Sequence, residues 1–337
     1  GKVIIPPDLS MVEDAYFITL YLPLKDGYEI CGCVDEETEI FTLNGFKKYQ
    51  DLNINEDIIS FNMNNKILER DIIKDVFSQN YEGKLLSIEK RDLSMRVTPN
   101  HRCVIKTPFS DIIIKNADKT WNHDKILQSA PFNNIQLDFN RNEGRIVGLI
   151  LSDGWLEPYR VSICQKEGWK ADKIRYWLNE ENISYNERYK EINEDSGYGS
   201  SGTLIIFDFH NADSQKYLKI IKSKKENLFH ILQHSQSFLF GVSEGFMFGD
   251  GSATIYTETI GQKGDILTDF IQGLAILLGK RCKKSLNKTL STTEVKYYYT
   301  YSTHHDSIQI KEKGEKDWID YKGIIWCPQT NNGTWIA

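Results

Sequence analysis

Ile146-Val-Gly-Leu-Ile-Leu-Ser-Asp-Gly154 and Ser243-Glu-Gly-Phe-Met-Phe-Gly-Asp-Gly251 are two copies of one pattern. Each is an apolar run that closes on Asp-Gly, and Asp153 and Asp250 stand 97 residues apart. Repetition at that distance is an internal repeat at domain scale. The third and seventh positions are small in both copies: Gly148 and Ser152, then Gly245 and Gly249. Such i, i+4 pairs share one helix face. Small residues there let two helix backbones approach closely, so the aspartates that end the helices converge. A helix C-terminus already carries the negative end of the dipole. Two carboxylates at such a crossing repel each other, and a divalent cation compensates them. A cation held by two carboxylates and phosphate oxygens suits Mg2+. It activates water and stabilises the leaving oxygen of a phosphodiester. The pattern predicts helices over 144–152 and about 237–249, with Asp153 and Asp250 converging on a divalent cation.

Outside these runs the texture changes. From Cys33 to about residue 130 the chain reads as short strands broken by turns, with Thr38–Thr42 and Asn44-Gly45 forming a hairpin. Ile58–Phe61, Leu85–Ile88 and Arg102–Ile105 read as further strands. A helix pattern covers 169–181 and a polar loop covers 193–202. After Lys316 the strands return at Gly323–Cys327 and Thr334–Ile336. Before all of this, Tyr16–Leu24 is a lone strand pattern that Pro23 ends.

Composition sets the outer limits. The 337 residues suggest two or three domains, and 40% apolar residues suffice for real cores. The net charge of −6 excludes a uniformly basic nucleic-acid coat but not a local basic surface. Residues 141–310 hold 21 Lys+Arg and 21 Asp+Glu, so that segment is neutral within an acidic chain. The six cysteines, at 31, 33, 103, 164, 282 and 327, are too sparse for a disulfide framework and lack zinc-finger spacing. The opening residues read as neither a basic leader nor an apolar core, and no apolar run reaches membrane-spanning length, so neither a signal peptide nor a membrane span is expected. A cytoplasmic protein with reduced thiols is expected.

The paired apolar runs with their Asp-Gly endings resemble the LAGLIDADG homing endonucleases. The resemblance implies an α+β fold of two pseudo-symmetric αββαββα halves whose β-saddle enters the major groove of double-stranded DNA. It implies that Asp153 and Asp250 hold Mg2+, one aspartate acting for each strand. The sixth position carries Leu151 and Phe248 where the family commonly has an acidic residue. The family often has an assisting lysine shortly before the second motif. Lys224 and Lys225 stand there, and Lys225 is taken for that role. Gln165 and Lys166, at the end of the strand pattern Arg160–Cys164, are further candidates. Lys280, Arg281, Lys283, Lys284 and Lys288 form a run without an intervening acid, followed by the aromatic strand pattern Lys296–Tyr301. Phosphate contacts from such cations, beside strand side chains that reach base edges, make a DNA-binding surface.

Cys33-Val-Asp-Glu-Glu-Thr38, the Asn44-Gly45 hairpin, Thr98-Pro-Asn-His101 and the C-terminal Asp320–Ile336 stretch resemble, in that order, the splicing blocks of inteins. The resemblance implies an all-β Hint (horseshoe) domain interrupted by the endonuclease. The expected division is an N-extein remnant at 1–32, Hint sequence at 33–135 and 316–337, and the endonuclease at 136–315. By that resemblance Cys33 attacks the Gly32 carbonyl, moving the acyl group from nitrogen to sulfur. His101 supplies a proton to the departing amide nitrogen, a task suited to imidazole. Thr98 bonds that amide and Cys327 assists. Cys31 competes as nucleophile, but Cys33 has Thr38 at the family spacing. Inteins continue to a closing block that ends on Asn, and this sequence stops at Ala337, so the C-terminal block is expected to be absent and splicing incomplete without it. The partners expected are double-stranded DNA and the covalently attached extein, with the chain a monomer. Two other readings stay open: a free-standing homing endonuclease with a degenerate Hint domain, and a non-catalytic, maturase-like nucleic-acid-binding protein.

Overall fold

The protein is described by a computed structural model at residues 18–20, 32–90, 93–132, 139–193, 201–224, 226–254, 257–263, 265–287, 296–302, 306–311 and 315–337. The chain divides into two compact units. One comprises Gly1–Asn134, Ile255–Thr257 and Lys263–Ala337, the other Ile135–Thr254 and Glu258–Gln262.

The first unit opens with strands, as the turn-broken pattern predicts. Ile40–Thr42 pairs with Gly45–Lys47 in the expected hairpin, and Gly45 takes a φ of +127° that its missing side chain permits. Asp57–Asn62 pairs with Ile67–Ile72. The largest departure from expectation is one long ribbon. Asp75–Lys90 runs antiparallel to Lys316–Gln329, from Asp75↔Gln329 to Ile88↔Lys316. Only the end at Leu85–Ile88 is a continuous buried run, while the 75–84 stretch alternates between exposed and half-buried residues and carries little apolar signal. Val34–Asp35 and Leu93–Val97 join this ribbon in a closed barrel. Trp326 of the ribbon and Trp335 of the strand Thr334–Ile336 are fully buried in one core, ring centroids 5.3 Å apart. They pack with Val34, Ile58, Val97 and Ile105. Ile18–Leu20 lies between Arg102–Lys106 and Thr334–Ile336 in a second sheet. The remainder of the expected Tyr16–Leu24 strand lies outside the described residues. The helix Asp265–Leu277 and the paired strands Arg281–Asn287 and Lys296–Ser302 also belong to this unit.

The second unit is built around helices α1 (Arg141–Asp153), α2 (Trp169–Glu180), α3 (Asn211–Ile221) and α4 (Gln236–Asp250). From Arg141 to Ile221 the element order is αββαββα. α4 is followed by the paired strands Gly251–Ala253 and Thr257–Lys263. α1 begins a turn earlier than the apolar run because Asn140 caps it: its side chain accepts the Glu143 N–H while Glu143 accepts the Asn140 N–H. Ser235 caps α4 in the same sense by accepting the Phe238 N–H. An antiparallel sheet follows the order Gly154–Glu157, Arg160–Lys166, Gly202–Phe209, Tyr185–Ile192. Val161, Ile163, Ile205 and Phe207 share one face and are fully buried. The opposite face carries Arg160, Cys164, Lys166, Arg188 and Lys190.

α1 and α4 cross on glycine. A Cβ on Gly148 would lie 2.2 Å from the Val242 carbonyl oxygen, and one on Gly245 would lie 2.0 Å from that of Arg145. Gly144 and Gly241 extend the contact one turn toward the helix starts, at 2.1 Å from the Phe238 oxygen and 1.9 Å from the Arg141 oxygen. The small-residue stripe is therefore three positions long on each helix, and no larger residue fits at the seam.

Candidate functional site

Asp153 and Asp250 are the last residues of α1 and α4. The glycine seam brings these ends together. A Cβ on Gly249 would sit 2.6 Å from Asp153 Oδ2 and 2.1 Å from Ser152 Oγ. Burial, reinforced by the charge of Asp250, pushes the Asp153 carboxyl up to about 6. Its Oδ2 is buried and accepts no hydrogen bond among the described residues. Burial also raises the Asp250 carboxyl, against the hydrogen bond that Gln262 Nε2 donates to its Oδ2. Two lysines balance the pair. Lys224 donates from Nζ to the Gly154 carbonyl. Burial pushes its ammonium down to about 8 despite the pull of both carboxylates. Lys170 Nζ donates to the Phe248 and Gly249 carbonyls at 2.7 and 3.3 Å. It thereby satisfies the open C-terminal end of α4 and places a cation beside both aspartates. Cys164 is close enough to Asp153 that the carboxylate adds to the burial that raises its thiol to about 11.

The two sequence-predicted aspartates thus share one site. Lys225 lies outside the described residues, whereas its neighbour Lys224 lies within electrostatic range of both aspartates. Lys166 Nζ donates to Ser201 O at 2.6 Å. Lys170 and Gln262 were missed by sequence reasoning. Lys170 sits on α2 and Gln262 in the strand after α4, and a single polar residue on a separate element gives no spacing signal. On the solvent-facing side of the first sheet Lys166 was a sequence candidate, whereas Arg188 was missed for the same reason. There Arg188 forks onto Asp208, which also accepts the Ser162 hydroxyl at 2.6 Å. Of the basic run, Arg281 donates from Nη1 to Ser307 O at 3.3 Å and Lys280 precedes it at the strand start. Lys283 and Lys284 are described by backbone alone, within Arg281–Asn287, and Lys288 lies outside the described residues.

A second cluster stands in the β unit. Cys33, Thr98, His101 and Cys327 are all buried. The Cys33 N–H donates to Thr98 Oγ1 at 2.9 Å, and the Thr98 N–H returns to the Cys33 carbonyl at 2.9 Å. The His101 N–H bonds the Thr98 carbonyl at 2.9 Å, which closes the Thr98–His101 turn. The His101 ring is fully buried and its pKa is pushed down to about 4, with hydrogen bonds to the backbone of Gly32 and Cys33 working against that shift. Gly32 packs directly on this turn: a Cβ there would lie 2.4 Å from His101 Cα. The Gly32–Cys33 peptide is therefore clamped between Thr98 and His101. Cys327 Sγ lies 3.6 Å from Cys33 Sγ. Thr38, the spacing marker, serves the turn instead: its N–H and hydroxyl both donate to Asp35 Oδ1, at 3.1 and 2.6 Å. Cys31 lies outside the described residues.

No family model matches the chain. It is 23% identical over 294 residues to DNA-directed RNA polymerase subunit Rpo1C of Methanocaldococcus jannaschii, a match covering 75% of this chain. The chain spans 33% of the length of that curated relative. Among solved structures, it is similar to I-DmoI in complex with DNA and Ca, at 15% identity and a TM-score of 0.34, covering 48% of this chain and 83% of that one. The N-terminal LAGLIDADG domain of DUF199/WhiA shares 11% identity at a TM-score of 0.32, covering 50% and 78%. A bacterial intein-like domain from Clostridium thermocellum shares 18% identity at a TM-score of 0.25, covering 29% and 66%.

Proposed function

We propose that the chain is an intein-like protein carrying two chemistries: a DNA endonuclease of the LAGLIDADG kind and an N–S acyl shift at Cys33. The observation that carries the nuclease is the convergence of two carboxylates across a glycine seam, the half-buried Asp153, whose Oδ2 accepts no hydrogen bond among the described residues, and the more exposed Asp250. Such an arrangement costs stability, and binding DNA does not require it, so it favours catalysis over a maturase-like binding role.

The residues fit a divalent cation. Asp153 and Asp250 would hold it, and the remaining ligands would be phosphate oxygens and water, as suits Mg2+. Among the described residues no larger group of His, Cys, Asp and Glu side chains is gathered for a metal. When bound, the cation supplies charge neutralisation at the scissile phosphate and lowers the pKa of water. Lys224, with its ammonium near 8, is poised to exchange a proton at Nζ near neutral pH. Lys170 holds the end of α4 and hence the position of Asp250. Arg160, Lys166, Arg188 and Lys190 give the open sheet face cations for the phosphate backbone of double-stranded DNA. Both aspartates come from one chain, so a single copy suffices.

In the β unit, the Cys33 thiol adds to the Gly32 carbonyl, the S–C bond forms, the C–N bond breaks, and the thiol proton ends on the freed amine. Thr98 fixes the amide that breaks. His101 relays the proton from the thiol to the departing nitrogen; burial keeps its resting imidazole neutral, so the imidazolium forms only in passing and gives its proton up at once. Treating the protein with a strong thiol such as dithiothreitol tests this half. Release of residues 1–32, lost in Cys33→Ala, is the expected outcome; an intact chain would refute it. For the nuclease, Mg2+-dependent cleavage lost in Asp153→Asn and Asp250→Asn is the test.

A further inference from the structure

We propose that Cys33 and Cys327 form a redox modification site: a dithiol that a small peroxide closes to an intramolecular disulfide. The strand register sets the pair. Val34 faces Trp326 and Asp35 faces Ile325, so one step further in the same register puts Cys33 opposite Cys327. Residues directly opposite on antiparallel strands have Cα atoms about 4.5–5.5 Å apart, inside the span a disulfide bridges. The two side chains already point at each other, with Sγ atoms 3.6 Å apart. Both are fully buried in a small cluster with Leu85 and Ile325, apart from the main core. Bond formation shortens the sulfur separation by about 1.6 Å, a movement within side-chain rotation on facing strands.

The chemistry balances with a peroxide as oxidant. One thiolate attacks the O–O bond, giving a sulfenic acid and releasing water or an alcohol. The second thiolate then attacks the sulfenic sulfur, the S–S bond forms, and the hydroxyl leaves as water. With hydrogen peroxide, two thiols lose two electrons and two protons in total and two waters form. The apolar surroundings of the pair favour a small neutral oxidant over a bulky disulfide. A thiol reductant reverses the closure. The functional consequence rests on the reading of Cys33 as the acyl-shift nucleophile: in the disulfide its sulfur is unavailable to the Gly32 carbonyl, so the chain stays uncleaved until reduced.

The test uses the full chain, reduced under anaerobic conditions, exposed to hydrogen peroxide, alkylated, and read by intact mass and by peptide mapping without reductant. The expected result is a loss of about 2 Da, two fewer alkylated thiols, and a crosslinked peptide pair containing Cys33 and Cys327. That peptide pair is absent in Cys327→Ser and returns to two free peptides with dithiothreitol. A wild-type map without the pair, or one in which Cys33 is joined to Cys31, overturns the proposal without relying on any variant. The readout is covalent mass and does not depend on acyl transfer. A Cys33–Cys327 crosslink in a protein whose reduced form releases nothing at Gly32 upholds the disulfide and refutes only the reading of Cys33 as nucleophile.

Discussion

Asp153 Oδ2 occupies the space that a side chain on Gly249 would need, 2.6 Å from where its Cβ would be. The last turn of α4 is thus shaped around the carboxylate that ends α1. Gly249→Ala displaces Asp153 and Ser152 without touching the glycine seam further back. The expected outcome is a roughly tenfold loss of Mg2+ affinity, measured by calorimetry, since moving a residue that holds a metal-binding carboxylate in place costs metal sites that much. Unchanged affinity would mean that the carboxylate position is not set by this contact.

The seam itself is tested by Gly245→Ala, whose Cβ would meet the Arg145 carbonyl oxygen at 2.0 Å. Both partners are backbone, so relief requires the helices to separate. Chemical denaturation should show a loss of about 3 kcal/mol, the upper range of overpacking costs. A loss below about 1 kcal/mol would contradict the close crossing.

The small-residue stripe and the Asp-Gly endings were legible because a helix repeats on one face at i, i+4. Gly144 and Gly241 lie before the matched runs 146–154 and 243–251, where a lone glycine carries no repeat signal. Lys170, Gln262 and Arg188 were not legible, for they reach the site or the sheet face through chain reversals that no local period encodes. In the β unit, Thr98 and His101 were found through resemblance and meet the Cys33 backbone across 65 residues. The ribbon from Asp75 to Lys90 was half missed because an exposed arm needs no apolar alternation. Thr38 shows the converse: a residue at the family spacing whose hydrogen bonds go to Asp35.

The electrostatics of Asp153 make a signed prediction. Its folded-state pKa of about 6 lies above the ordinary 3.8, so the folded protein holds the proton more tightly. The stability tied to this group is present at low pH and is lost as pH rises through about 6. Without metal, Asp153→Asn should therefore stabilise the protein at pH 8, by roughly 2 kcal/mol, and by less at pH 5. Mg2+ should raise Tm at pH 8 in the wild type and leave the variant nearly unmoved. Equal Tm responses in the two proteins would count against a shared cation.

His101 carries the opposite sign. Its pKa falls from 6.5 to about 4 on folding, so its contribution is full above 6.5 and is lost as pH drops toward 4. The loss should amount to roughly 3 kcal/mol across that window. Replacing His101 with Gln should flatten the acid limb of the stability profile, followed by denaturant midpoints. A limb unchanged in the variant would mean that another group sets it.

Lys224 is expected to act in the reaction rather than in binding. Lys224→Met should lower the cleavage rate by about 10²–10⁴, leave DNA affinity within a few fold, and remove the rise in rate as pH approaches 8. A retained alkaline rise would assign the proton to another group.

Strand-resolved cleavage of a plasmid library carrying long random inserts, with Mg2+ and sequencing of both product ends, tests the central claim most directly. The account predicts paired breaks at a fixed offset within one recovered sequence, abolished in the Asp153→Asn/Asp250→Asn double variant. Absence of any recovered site, or equal cutting by the double variant, would contradict it.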